Sequence, residues 1–362
     1  MIRSLRRGGA AAGAALLAVV LTGAPARADA ERDKQWYFAP MKLAKAQELG
    51  RGGAGVTVAV IDSGVDTKHQ DLRGATVSGR NMALNIEDND VDAGPHGTSM
   101  AVLIAGRGHG SGDGLLGVAP RSKVMSVTPV SDPSLLADGI RWAVDHGAKV
   151  INMSFVLEGS GEVVQKAIDD AIAADVVVVA GVGNDHEPVA EPASLDGVIG
   201  VGTVDRDNKA ADFANYGKGL DLVTYGTEMP AARPHNRYAL AQGTSDSTAL
   251  VSGAVALMRA RYPDMSAAEV AERLTGTAVD RGPKGRDDYY GYGQLDVIAA
   301  LTAPRVAPSA TSAAPPTQDE PVAYPPVEKD NGPPPLLFVA VGVLLLVLCL
   351  ALFMIVRARR KS

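Results

Sequence analysis

The sequence predicts an α/β domain in which a mostly parallel sheet is covered by helices on both faces. Two observations carry this reading: short runs rich in Val and Ile, and amphipathic stretches of helical length lying between them. A strand that is apolar at every position is buried on both sides, and parallel neighbours need a crossover that helices supply. In chain order the strand candidates are 56–62, 124–128, 150–153, 176–180 and 198–204. The helices expected between and after them are 96–107, 133–146, 161–174 and 245–261. A further helix is signalled by Ser266-Ala267-Ala268-Glu269, a capping box in which Ser266 and Glu269 satisfy N–H groups that the first helical turn leaves open.

The two ends of the 362-residue chain do not belong to that domain. Residues 1–28 carry Arg3, Arg6 and Arg7, then an apolar run, then Ala26-Arg27-Ala28, which together read as a secretory signal peptide. The segment 303–335 holds 10 of the chain's 22 prolines and buries too little apolar surface to order itself, so it is read as a Pro-rich stalk. Residues 336–356 are uncharged and apolar, long enough to cross a hydrocarbon core of ~30 Å at ~1.5 Å per residue. The basic tail 357–362 then stays cytoplasmic by the positive-inside rule, and everything before the span lies outside. That leaves 29–302 as one exported domain. The stretch between Ala28 and the first strand is short for a globular propeptide, and folding without one is expected.

Composition narrows the function classes. A net charge of -6 and the lack of a basic, aromatic-interleaved patch give no reason to expect nucleic acid. The single cysteine, Cys349, falls in the apolar span, so the exported domain holds no disulfide. Gly106, Gly108, Gly110 and Gly112 alternate in a loop but do not follow the dinucleotide fingerprint. The acidic run Glu87-Asp88-Asn89-Asp90-Val91-Asp92 has its glycine one place late for a calcium loop and no acidic residue to close it; a solvated turn is expected, no metal site is assigned, and structural calcium is left open.

Three motifs carry chemistry. Val58-Ala59-Val60-Ile61-Asp62-Ser63-Gly64 ends an apolar strand on a carboxylate, which is costly unless a polar partner receives it. Pro95-His96-Gly97-Thr98 opens a helix on a histidine, and Gly243-Thr244-Ser245 opens another on a serine. Serine is a weak nucleophile at neutral pH and needs a base, and the base needs a third group to hold its tautomer. Ser245, His96 and Asp62 fit those parts. Asp66, four residues beyond Asp62, is expected at the surface of a turn, and the other five histidines are expected to be solvated or locally bonded.

The order Asp, His, Ser, with the stretches around it from about residue 36 to 301, resembles the subtilases, and the anchored layout resembles the mycosins, proteases associated with type VII secretion. The resemblance implies a subtilisin-like three-layer α/β/α domain and an endopeptidase that works through an acyl-enzyme and requires no cofactor. It implies that Asn184, in Ala180-Gly181-Val182-Gly183-Asn184, stabilises the oxyanion, and that Asn152-Met153-Ser154 and Gly181-Val182-Gly183 line the bound substrate. The implied partners are protein or peptide substrates outside the membrane and type VII secretion membrane components. Where the family commonly has Met-Ala-x-Pro after the serine, this chain has Asp246-Ser247-Thr248-Ala249, and where Leu-Gly often follows Ser154 it has Phe155-Val156. Asp246 is expected to point away from the oxyanion. The altered residues leave room for an alternative: a catalytically weak subtilase-fold docking subunit of a membrane complex.

Overall fold

The computed structural model describes residues 30–87, 94–128, 132–157, 159 and 161–304. The predicted signal peptide 1–28, the span 336–356, the tail 357–362, nearly all of the stalk and residues 88–92 of the acidic run lie outside the described residues. No helix among the described residues is long and apolar enough to cross a membrane.

Seven strands form one sheet in the order β2-β5-β1-β6-β7-β8-β9. These are β1 (Thr57–Ile61), β2 (Arg80–Asn81), β5 (Lys123–Thr128), β6 (Val150–Met153), β7 (Val177–Gly181), β8 (Ile199–Val204) and β9 (Leu222–Tyr225). Every pairing is parallel, for example Val58 with Val124 on one side and Val150 on the other. All residues of β6, β7 and β8 are buried, although successive side chains point to opposite faces, so both faces are covered. The covers are two helix pairs. Helices α4 (Pro133–Asp145) and α5 (Gly161–Ala173) pack on each other, α4 against β1 and β5 and α5 against β7. Helices α3 (Pro95–Ala105) and α6 (Thr244–Arg261) form the other pair, α3 against β1 and β5 and α6 across β6 to β9. Short helices α1 (Ala30–Asp33) and α2 (Leu43–Leu49) precede β1, and α7 (Ala267–Gly276) and α8 (Val297–Thr302) follow α6.

Local chemistry sets the helix ends. Pro95 occupies the first turn of α3, where a missing N–H costs nothing. Asp132 accepts from the Ser134 and Leu135 N–H groups at the start of α4, and the Ser266–Glu269 capping box forms as the sequence indicates. Of the 18 residues of α6 all are buried except Ser245 and Arg261, so this helix is the axis of the core and opens to solvent near its first turn at Ser245. Its buried hydroxyls tie it to the sheet: Ser247 Oγ lies 3.1 Å from the Thr224 and Tyr225 carbonyls, and Ser252 Oγ donates to Asn152 Oδ1 at 2.9 Å.

Two antiparallel hairpins stand outside the sheet and were not expected: β3 (Arg107–His109) with β4 (Asp113–Leu116), and β10 (Met229–Arg233) with β11 (Arg237–Ala241). The alternating glycines belong to the first of these. Between β1 and β6 the chain changes direction across the sheet, since β1 leads to β2 on one side and β6 leads to β7 on the other. At such a switch point the loops leaving the carboxyl ends diverge and open a crevice. Asp62 follows β1 there and Ser154 follows β6.

Candidate active site

Asp62 is 3% exposed, and both of its carboxylate oxygens lie 2.9 Å from His96 Nδ1. A carboxylate only accepts, so Nδ1 carries the proton and Nε2 is left as the acceptor. Oδ1 also accepts from Ser63 N at 2.6 Å. The close seat of α3 on this strand end depends on Gly97, where a Cβ would stand 2.3 Å from the Gly64 carbonyl oxygen and 3.2 Å from Asp62 Cβ. Burial disfavours the charged imidazole, but the hydrogen bond and charge of Asp62, helped by the charge of Asp246, outweigh it, and the pKa of His96 is raised.

Ser245 stands in the first turn of α6 and its hydroxyl donates to the Ser154 carbonyl at 3.0 Å, while Ser154 Oγ donates back to the Ser245 carbonyl at 3.2 Å. In this arrangement Oγ is turned to Ser154 and not to His96; engaging Nε2 means exchanging one hydrogen bond of about 1 kcal/mol for another. Such contacts often tighten only when substrate is bound. His96, Ser245, Asn184, Arg233, Gln242 and Asp246 line one cavity of 370 Å³.

The Asn184 side chain is fixed by Thr244 N, which donates to Oδ1 at 2.9 Å. With Oδ1 so used, Nδ2 is the group free to donate into the cavity. The loop after it is organised by Asn215, whose Oδ1 accepts from Asp185 N at 2.9 Å and Glu187 N at 3.1 Å. Sequence reasoning missed Asn215, which sits in no motif and earns its place only through these backbone contacts.

The six residues expected to line substrate divide in two. Asn152 and Met153 lie inside β6, paired with β1 and β7 on either side, and Asn152 spends its side chain on Ser154 Oγ and Ser252 Oγ. Val182 is fully buried, its N–H bonded to the Val201 carbonyl and its carbonyl to Ala190 N. These three support the site from behind. Pairing between β6 and β7 ends at Met153 and Ala180, so Ser154, Gly181 and Gly183 are the members that lie beyond it, at the carboxyl ends of these strands. Val156 reaches across it, since a Cβ on Gly183 would stand 3.3 Å from Val156 Cγ1.

Two expectations are corrected. Asp66 is buried, not at the surface: its Oδ2 accepts from His235 N at 2.8 Å and its Oδ1 from Lys68 N at 3.1 Å, so it fastens the β10–β11 hairpin to the turn after β1. Asp246 does not point away from the site; it is 3% exposed and forms part of the cavity wall with His96. Its pKa is pushed up to about 7 by burial, against the opposing pull of His96 and Arg233. Among the other histidines, His69 is fully buried and locally bonded as expected, with Nδ1 accepting from Asp71 N, whereas His109 Nδ1 lies 2.7 Å from Asp71 Oδ1, 38 residues away in the chain. Among the described residues no group of three or more His, Cys, Asp or Glu is placed to hold a metal ion.

Comparison with known proteins agrees with this geometry. The model of the Subtilase family matches residues 53–293. Subtilisin DY of Bacillus licheniformis is 35% identical over 275 residues, which cover 73% of this chain and 97% of that protein. Subtilisin Savinase of Lederbergia lenta is 32% identical over 271 residues, 73% of this chain and 97% of that one. Among solved structures, the crystal structure of MycP1 with the N-terminal propeptide removed aligns with a TM-score of 0.67 and 27% identity, covering 74% of this chain and 97% of that chain.

Proposed function

The chain belongs to the subtilase family and is a subtilisin-like serine endopeptidase, and from that premise we propose that it cleaves exported proteins through an acyl-enzyme on Ser245, tethered to the outer face of a membrane beside a type VII-like secretion complex. The observation that carries the chemical part is the meeting of the Asp62–His96 pair with Ser245 and Asn184 around one cavity. His96 Nε2 takes the Ser245 proton as Oγ attacks the scissile carbonyl, and Asp62 holds the imidazole in the tautomer that can do so. The carbonyl electron pair moves to oxygen, where Asn184 Nδ2 and the Ser245 backbone N–H donate to it. His96 then returns the proton to the leaving amine, and water repeats the sequence to release the acyl group. No step calls for a cofactor. An extended peptide entering beside Ser154 and Gly181–Gly183 would be held mainly through its backbone, with side-chain pockets supplying selectivity.

The tether rests on the apolar span 336–356 and the basic tail after it, and the secretion partner rests on the likeness to MycP1, a mycosin. One observation favours the alternative of a docking subunit: Ser245 Oγ is bonded to Ser154 and not to His96. A serine-directed fluorophosphonate probe applied to the purified full chain separates the two. Labelling of the wild type that is lost in Ser245→Ala is the expected outcome; a folded wild type that takes up no probe would leave the docking reading.

A further inference from the structure

His96 has a second carboxyl in its surroundings. Asp246 lines the cavity that His96 lines, is 3% exposed, and leaves Oδ1 buried without a hydrogen-bond partner. A buried carboxyl oxygen left unbonded is a cost the fold has no need to bear, because the first turn of α6 is already held by Asn184, which accepts from Thr244 N, and by Ser154. Arg233, at the end of β10, lines the same cavity, and its guanidinium makes no hydrogen bond or ion pair among the described residues. An arginine facing a cavity contributes its charge to the groups that stand there. The charged groups that face His96 are thus Asp62 from the turn after β1, Asp246 from α6 and Arg233 from β10. Those that face Asp246 are His96 and Arg233, with the hydroxyl of buried Tyr37 behind it.

Building on the reading of His96 as general base, we propose that Asp246 and Arg233 are positioning residues of opposite sign that set, through their charges across the cavity, the pH range in which His96 accepts the proton of Ser245. Asp246 favours the imidazolium and Arg233 opposes it. During acylation the proton leaves Ser245 Oγ for His96 Nε2 as the Oγ–carbon bond forms, and it passes to the leaving nitrogen as the carbon–nitrogen bond breaks. Asp246 stabilises the charged histidine between those two transfers. The same attraction keeps His96 protonated, and therefore useless as a base, to a higher pH than Asp62 alone would. Removing the carboxylate moves the acid limb of kcat/KM to lower pH; removing Arg233 as well moves it back up. The order of the variants matters, because Arg233 also holds the ionised form of Asp246, and its direct action on His96 is seen cleanly only once that carboxyl is gone.

The test is the pH profile of kcat/KM on a fluorogenic peptide for the full chain as wild type, Asp246→Asn and Asp246→Asn with Arg233→Gln, each normalised to its own plateau. At the wild-type midpoint, Asp246→Asn should keep up to about two-fold more of its plateau activity than the wild type, and the gap should close at lower pH, where the Asp246 carboxyl takes up its own proton. The double variant should fall back toward the wild type. A purely structural role changes plateaus and leaves midpoints alone. Asp246→Ser, smaller and also neutral, must shift the limb in the same direction should Asp246→Asn fold poorly. Coinciding midpoints in a wild type that cleaves the peptide overturn the inference and spare the protease reading. A folded wild type that neither cleaves nor takes up the fluorophosphonate probe overturns both.

Discussion

The Asn184 carboxamide is held by one hydrogen bond, from Thr244 N to Oδ1, and everything it offers the reaction is the remaining donor. Asn184→Ala removes that donor together with the acceptor of Thr244 N at the start of α6, while the side chain is exposed and supports no core packing. Losing such a donor in a subtilisin lowers turnover by about 100- to 1,000-fold. The same loss in kcat, with KM nearly unchanged, is expected here from steady-state kinetics, and an unchanged kcat would remove Asn184 from the oxyanion site. At this scale the triad candidates Asp62, His96 and Ser245 were legible because each ends or begins an apolar run, where a lone polar side chain has to be explained. Asp66 and Asp246 were not legible. Whether a carboxyl beside a motif is covered depends on segments distant in sequence: His235 comes back over Asp66, and Arg233 and His96 close around Asp246.

The element that joins the core to the chemistry is α6. Gly253, in its middle, lies where a Cβ would stand 2.5 Å from Val118 Cβ. Helix propensity alone makes Gly253→Ala favourable by about 1 kcal/mol. The overlap with Val118 works against it, and crowding of this kind typically costs about 1–3 kcal/mol. Packing should win, giving a net loss of stability of up to about 2 kcal/mol in denaturant unfolding; a stabilised variant would mean that the helix and the β4–β5 connection can part without cost. Strands β1, β5, β6, β7 and β8 were legible because they are rich in Val and Ile, α4, α5 and α7 because caps or amphipathic periodicity mark them, and α3 and α6 because apolar runs follow the histidine and serine motifs. Strand β2 has two residues, β9 has four, and the hairpins are rich in Gly, Pro, Ala or Arg. Such segments are strands because their neighbours are, and no local signal announces them.

For the whole molecule, the layout proposed from the ends of the chain fixes a measurable start. If export removes residues 1–28, N-terminal sequencing of the protein purified from membranes should begin at Asp29, and a sequence beginning at Met1 would argue against the signal peptide. The residues that follow are anchored to two distant places, β4 and the start of the β10–β11 hairpin. Arg32 donates to the carbonyls of Gly114 and Asp113, Gln35 bonds to Leu116 through both its amide oxygen and its amide nitrogen, and Trp36 Nε1 donates to the Glu228 carbonyl, 192 residues away. Arg206 lies over the Trp36 ring at 4.6 Å, and Tyr225 meets the ring edge-on at 4.8 Å. A chain is made from its first residue onward, so Trp36 waits for most of the domain before its last partners exist. Its ring is then a built-in clock: the moment its emission changes is the moment the domain has closed, and a stalled or truncated chain would never reach it.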